Sequence, residues 1–91
     1  MTNEPLGTAA RSLREAEEAA DDESVADRLD RQAEQFERMA EDDSGVDHGR
    51  LARHEHALSE ISDDQGDTSV ADHVGEALAA ITSYRETLEG V

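Results

Sequence analysis

Two histidine–carboxylate pairs are the residues whose type and spacing could do chemistry: His56 with Glu60, four positions apart, and His73 with Glu76, three apart. On a helix either spacing brings the two side chains to one face. Imidazole and carboxylate together suit zinc or iron, and the two pairs would supply four ligands to one ion. The competing reading is two exposed ion pairs on an acidic surface, each contributing about 0.2–0.5 kcal/mol. The Glu-x-x-His signature of di-metal helical bundles is absent. Glu60 has Glu15 as its counterpart 45 residues upstream, but His56 has Arg11, which cannot ligate. That asymmetry favours plain ion pairs, and no cofactor is expected.

The remaining polar residues offer little to a reaction. Ser59, Ser62 and Thr82 have no base at a spacing that would activate a hydroxyl. There is no cysteine, no glycine-rich phosphate loop and no set resembling a triad, so the sequence does not read as an enzyme. Two residues stand out by position instead. His54 falls on an apolar stripe between Leu51 and Leu58, and Gln32 interrupts another between Leu29 and Phe36. A histidine there reads as a boundary residue, with one face packed and one nitrogen hydrated, or as a pH-sensitive contact. A lone polar residue in a stripe can fix the pairing of helices.

Four helices must position these groups. Apolar residues recur at three- and four-residue spacing from Leu6 to Ala20, Val25 to Ala40, Leu51 to Ile61 and Val70 to Leu88. The stripes are wide enough for a bundle rather than a coiled-coil seam. Helices are expected over 5–20, 24–42, 48–63 and 69–89. Ser24 and Ser69 read as N-caps, each with Asp three positions on, and Asp47 reads as the cap of the third helix. Gly45, Gly66 and Gly90 mark stops, and Pro5 suits a first turn. Connections this short make neighbouring helices antiparallel. The expected fold is therefore all-α, a four-helix bundle in a single domain over residues 1–91.

The chain also matches itself at an offset of 45 residues, with 11 identities over 46 aligned pairs. Ser24-Val25-Ala26-Asp27 recurs as Ser69-Val70-Ala71-Asp72, Leu6 aligns with Leu51, and Leu13 aligns with Leu58. Residues 1–45 and 46–91 therefore read as a duplicated helical hairpin.

Charge sets the chemical class of the exterior. Asp and Glu number 24 against eight basic residues, for a net charge of −16, and every basic residue is Arg. High net charge with 35% hydrophobic residues is also a signature of disorder, but the apolar periodicity argues for packed helices. At about 1 M salt the Debye length falls to roughly 3 Å, and crowded carboxylates can then coexist. Size, the absence of Lys and Cys, and the Ser-Val-Ala-Asp helix starts make the chain resemble the small acidic helical proteins of unknown function of halophilic archaea. That resemblance implies a four-helix fold and supplies no catalytic residue. The acidic field opposes nucleic-acid phosphates, and no apolar run is long enough for a membrane span. No export signal precedes the first helix, so a cytoplasmic protein is expected. The partner expected is another protein or a second copy of the chain.

Overall fold

The computed structural model describes residues 4–41, 48–66 and 68–87. The regular elements among them are four α-helices: α1 (Glu4–Ala19), α2 (Glu23–Glu41), α3 (His48–Gln65) and α4 (Ser69–Thr87). They pack as an all-α four-helix bundle measuring 39 × 22 × 16 Å.

Helices α3 and α4 start where the sequence spacing placed them and α1 and α2 one residue earlier, but the caps differ. Asp22 caps α2, its Oδ1 accepting from the Ser24 amide at 2.8 Å and more distantly from Val25 at 3.4 Å. Thr68 caps α4, its Oγ1 accepting from the Ala71 amide at 3.3 Å. A residue ahead of the expected serine does the capping in each case, two positions ahead at Asp22 and one at Thr68. The Asp22 carboxylate takes up the amides that open the helix and adds a favourable charge at its N-terminus. The serines lie inside their first turns instead. At the other end of α3, Gly66 adopts φ +62° and its amide donates to the Ser62 carbonyl at 3.1 Å. Only a residue without Cβ takes that conformation cheaply, so α3 stops there. The expected signals at Gly45, Asp47 and Gly90 lie outside the described residues, as does Leu88.

One apolar cluster runs through all four helices. Leu6 and Leu13 of α1, Leu29 and Phe36 of α2, Leu51 and Leu58 of α3, and Val74 and Ile81 of α4 are completely buried. Leu13 and Leu58, 45 positions apart, are therefore alike in burial, and so are Phe36 and Ile81. Leu78 and Tyr84 sit at the margin, half-buried against the cluster.

The four seams are unequal. The backbone of α1 approaches both α2 and α4, and that of α3 approaches α4. The backbones of α2 and α3 do not come together in this way. Buried small residues explain the close α1/α4 seam: Ala9 and Ala16 on α1 and Ala77 on α4 are fully buried, and Ser12 nearly so. Short side chains let helix axes approach. Shifted by 45 residues, Ala9 becomes His54 and Ala77 becomes Gln32. These longer side chains stand between α2 and α3.

Candidate functional site

The two histidine–carboxylate pairs form on their own helices. His56 Nε2 lies 2.9 Å from Glu60 Oε1, and both side chains are well exposed. His73 Nδ1 lies 2.8 Å from Glu76 Oε1, with the imidazole half-buried on α4. Among the described residues, no group of three or more His, Asp or Glu side chains is arranged to hold one metal ion. Each histidine is thus satisfied within its own helix turn.

The α2/α3 seam is built from polar side chains over a buried ring. His54 Nδ1 and Gln32 Oε1 are 2.6 Å apart, with the ring nitrogen donating to the amide oxygen. The imidazole meets the buried Phe36 edge-on, ring centroids 5.1 Å apart at 63°. Such aromatic pairs contribute about 0.5–1.5 kcal/mol beyond area burial. Burial holds the His54 pKa below its ordinary value, and the cations Arg50 and Arg53 on the same helix depress it further. Outside this contact, Arg50 donates to Gln35 Oε1 at 3.2 Å, and Arg28 lies 3.8 Å from Asp64. Partner numbers on α3 fall as those on α2 rise, so the two helices run antiparallel.

The α1/α2 seam carries the densest ionic cluster. Arg14 is held by Glu17 at 2.9 Å on its own helix and by Asp30 and Glu37 of α2, with Glu37 Oε1 at 2.8 Å. Nε and Nη2 of Arg14 both donate to Glu37, making a bidentate pair. These hydrogen bonds raise the Arg14 pKa, Glu37 contributing most. In return the Arg14 hydrogen bonds lower the pKa of Glu37. Beside the cluster lies a surface groove of about 400 Å³, lined in part by Gly7, Ala10 and Ala40.

Shifted by 45 residues, Ala10 and Ala40 become Glu55 and Arg85. Those two residues form an ion pair across α3 and α4 and line a smaller groove of about 250 Å³. Each hairpin thus carries an interhelical Arg–carboxylate contact beside a groove, Arg14 with Asp30 and Glu37 in the first and Arg85 with Glu55 in the second, set at different levels of the seam.

The sequence reading singled out Gln32 and His54 separately and missed that they meet. It also missed Arg14 as a hub, although Glu17 and Glu18 follow it at helical spacing. The signal it left unused is the segregation of charge around α2. Glu23, Asp30, Glu37 and Glu41 recur at spacings of seven, seven and four on one side, and Arg28, Arg31 and Arg38 at three and seven on another. The structure turns Asp30 and Glu37 toward α1 and Arg28 toward α3.

No helix among the described residues is long and apolar enough to cross a membrane. No curated protein and no solved structure matches the chain. A family of unknown function, DUF7553, matches over residues 1–87, and the chain belongs to that family.

Proposed function

We propose that the chain is a non-enzymatic helical interaction module of a salt-rich cytosol, acting by binding another protein or a second copy of itself. The observation that carries this reading is the inequality of the seams. The helices of the α1/α4 seam approach closely, whereas α2 and α3 stand apart and are bridged by side chains alone. A bundle that leaves one seam open has a ready position for a further helix. The grooves of the described surface favour the same reading, since they are shallow and lined largely by Ala, Gly, Arg and Glu. The net charge of −16 without Lys supports a setting of high potassium, where screening relieves repulsion among carboxylates. A duplicated hairpin supports self-association as the ancestral mode, with a two-fold contact now internal to one chain.

The test is affinity capture from the native cytosol in molar potassium chloride, with mass-spectrometric identification, paired with sedimentation of the purified chain. A stoichiometric partner or a defined dimer is the expected result. A monomer that retains no partner at any salt concentration would remove the interaction reading.

A further inference from the structure

The charged residues that close the first hairpin are replaced, position by position, by neutral ones in the second. Shifted by 45 residues, Arg14 becomes Ser59 and Glu17 becomes Ser62. In the same register Asp30, Glu34 and Glu37 become Gly75, Ala79 and Thr82. Arg14 reaches both Asp30 and Glu37, and so crosses the turn of α2 that carries Ala33, which is fully buried. The counterpart of Ala33 is Leu78, a larger apolar side chain that is only half-buried. What an ionic cluster covers on α2 is thus apolar and partly open on α4.

The outward line of α4 continues this surface. Gly75, Ala79 and Thr82 are all exposed, at helical spacings of four and three, with Leu78 on the side toward α3. Residues Ala77–Tyr84 carry no charged side chain, and these eight positions are the longest such run in the chain. Elsewhere the exposed lines are ionic: Arg11, Glu15 and Glu18 on α1, and Arg53, Glu60 and Asp63 on α3. Charge returns on α4 only at the ends of the run, with Asp72 and Glu76 before it and Arg85 and Glu86 after it.

Gly75 has no explanation within the described fold. A helix interior favours alanine over glycine, and a Cβ at this position would meet nothing within 4 Å. Its backbone is not in the left-handed region either. A glycine there leaves room for another backbone to come close from outside.

We propose that the outward face of α4 joins two copies of this chain as an isologous dimer, the two α4 helices antiparallel and meeting at Leu78 and Ala79. This rests on the interaction reading above and names the partner as a second copy, at a surface distinct from the α2/α3 seam. Charge selects the occupant: two bodies of net charge −16 can approach closely only where the facing surfaces carry few carboxylates. A two-fold contact supplies the same neutral surface from both sides. With Leu78 against the partner's Ala79, Gly75 falls opposite the partner's Thr82 and Asp72 opposite the partner's Arg85. Opposite charges therefore meet at each end of the neutral run. Glu55, which pairs with Arg85, and the adjacent Glu86 lie at the same ends, so the contact also needs the screening of concentrated salt.

The test is sedimentation equilibrium of the full chain over a concentration series, at a potassium chloride concentration that gives full helicity. A monomer–dimer equilibrium is expected. Ala79→Glu with Thr82→Glu gives these positions the charge that Glu34 and Glu37 carry on α2, and should raise the dimer Kd about tenfold or more. Arg11→Glu changes net charge by the same amount from α1 and should have a much smaller effect. Gly75→Ala should raise the melting temperature of the dilute monomer yet weaken the dimer, a divergence that a purely structural role would not give. The chain has no cysteine, so Ala79→Cys offers a direct probe of the two-fold: oxidation should link two copies faster than with Glu18→Cys on α1. Circular dichroism of each variant separates lost association from lost fold. A monomer at every concentration would overturn the proposal. So would a double variant no weaker than Arg11→Glu, or cross-linking no faster at position 79 than at position 18. If the chain stays monomeric and the double variant loses a captured partner instead, the face belongs to that partner; the second-copy assignment is then overturned and the interaction reading stands.

Discussion

Gln32 and His54 meet at 2.6 Å across the α2/α3 seam, each the polar interruption of its own apolar stripe. Neither residue has a polar counterpart 45 positions away: Gln32 aligns with Ala77 and His54 with Ala9, and both alanines are fully buried. One seam is therefore closed by small side chains and the other is held open by a hydrogen-bonded pair. The pair should behave as a unit. Gln32→Ala leaves the His54 N–H without its acceptor, and His54→Ala removes the ring that meets Phe36. A double-mutant cycle by urea unfolding in molar potassium chloride should give a coupling of about 0.5–1.5 kcal/mol. Strict additivity would mean that the contact does not contribute to stability.

The same histidine sets a pH dependence. Its pKa in the fold lies below the ordinary value of 6.5, through burial first and then Arg50 and Arg53. The unfolded chain therefore binds a proton more readily than the folded one. Stability contributed by the neutral ring is complete above about pH 6.5 and is lost as pH falls through the lower, folded value. Melting temperature in molar salt should fall between about pH 7.5 and 5.5, above the range where carboxylates titrate. His54→Gln should flatten most of that fall. An undiminished fall in this variant would assign the effect to other groups.

Much of the fold was legible in the sequence because apolar side chains at helical spacing have one way to be buried. The stripes containing Leu13, Phe36, Leu58 and Ile81 gave four helices whose bounds match the structure within about two residues. The caps were less legible, because Asp22 and Ser24 are both good N-caps and only the backbone decides between them. The site was less legible still. Whether Gln32 and His54 touch depends on the rotation of two helices that are distant in sequence, and a stripe fixes each rotation only to within its own width. The side to which α2 turns its Arg residues follows once α1 has claimed the acidic side through Arg14.

Two leucines test how much burial matters. Leu29 is completely buried in the central cluster, whereas Leu78 is half-buried at its margin. Leu29→Ala should cost about 2–5 kcal/mol. Leu78→Ala should cost about 1 kcal/mol, because solvent fills the space it leaves. Urea unfolding in molar salt compares the two directly, and equal losses would contradict the margin position of Leu78.

Arg14 should show the opposite of an ordinary surface pair. It holds three carboxylates together, so its removal leaves Glu17, Asp30 and Glu37 facing one another. Arg14→Met should cost about 1 kcal/mol at a few tenths molar salt, and less as salt rises. In that background Glu37→Gln should be stabilising, since it removes one of three crowded charges. In the wild type the same change should be destabilising, since the Arg14 hydrogen bonds lower the Glu37 pKa and so favour the charged form. The reversal of sign is the measurement, read as melting temperatures of the four proteins. The same sign in both backgrounds would show that the cluster is not coupled.

Salt should decide whether the chain folds at all. Eight guanidinium groups cannot neutralise 24 carboxylates, so a net charge of −16 sits on a body 39 Å in its longest dimension. At about 10 mM salt the Debye length is near 30 Å, and almost every carboxylate repels every other. Unfolding spreads these charges apart, and a domain of this size has a total stability near the low end of about 5–15 kcal/mol. Helical circular dichroism should therefore be low in about 10 mM potassium chloride and rise cooperatively toward the molar range. The screening part of the gain should saturate by a few tenths molar, where the Debye length is already shorter than the spacing of most charges. A further gain should be larger with sulfate than with chloride, because excluded anions strengthen burial of the Leu, Val and Ala core. Lowering the pH toward the isoelectric point of about 4.3 should replace salt in part, by neutralising carboxylates. Full helicity and a constant melting temperature from dilute buffer to molar potassium chloride would sink the reading of a salt-adapted surface, and would leave the absence of Lys without a physical role.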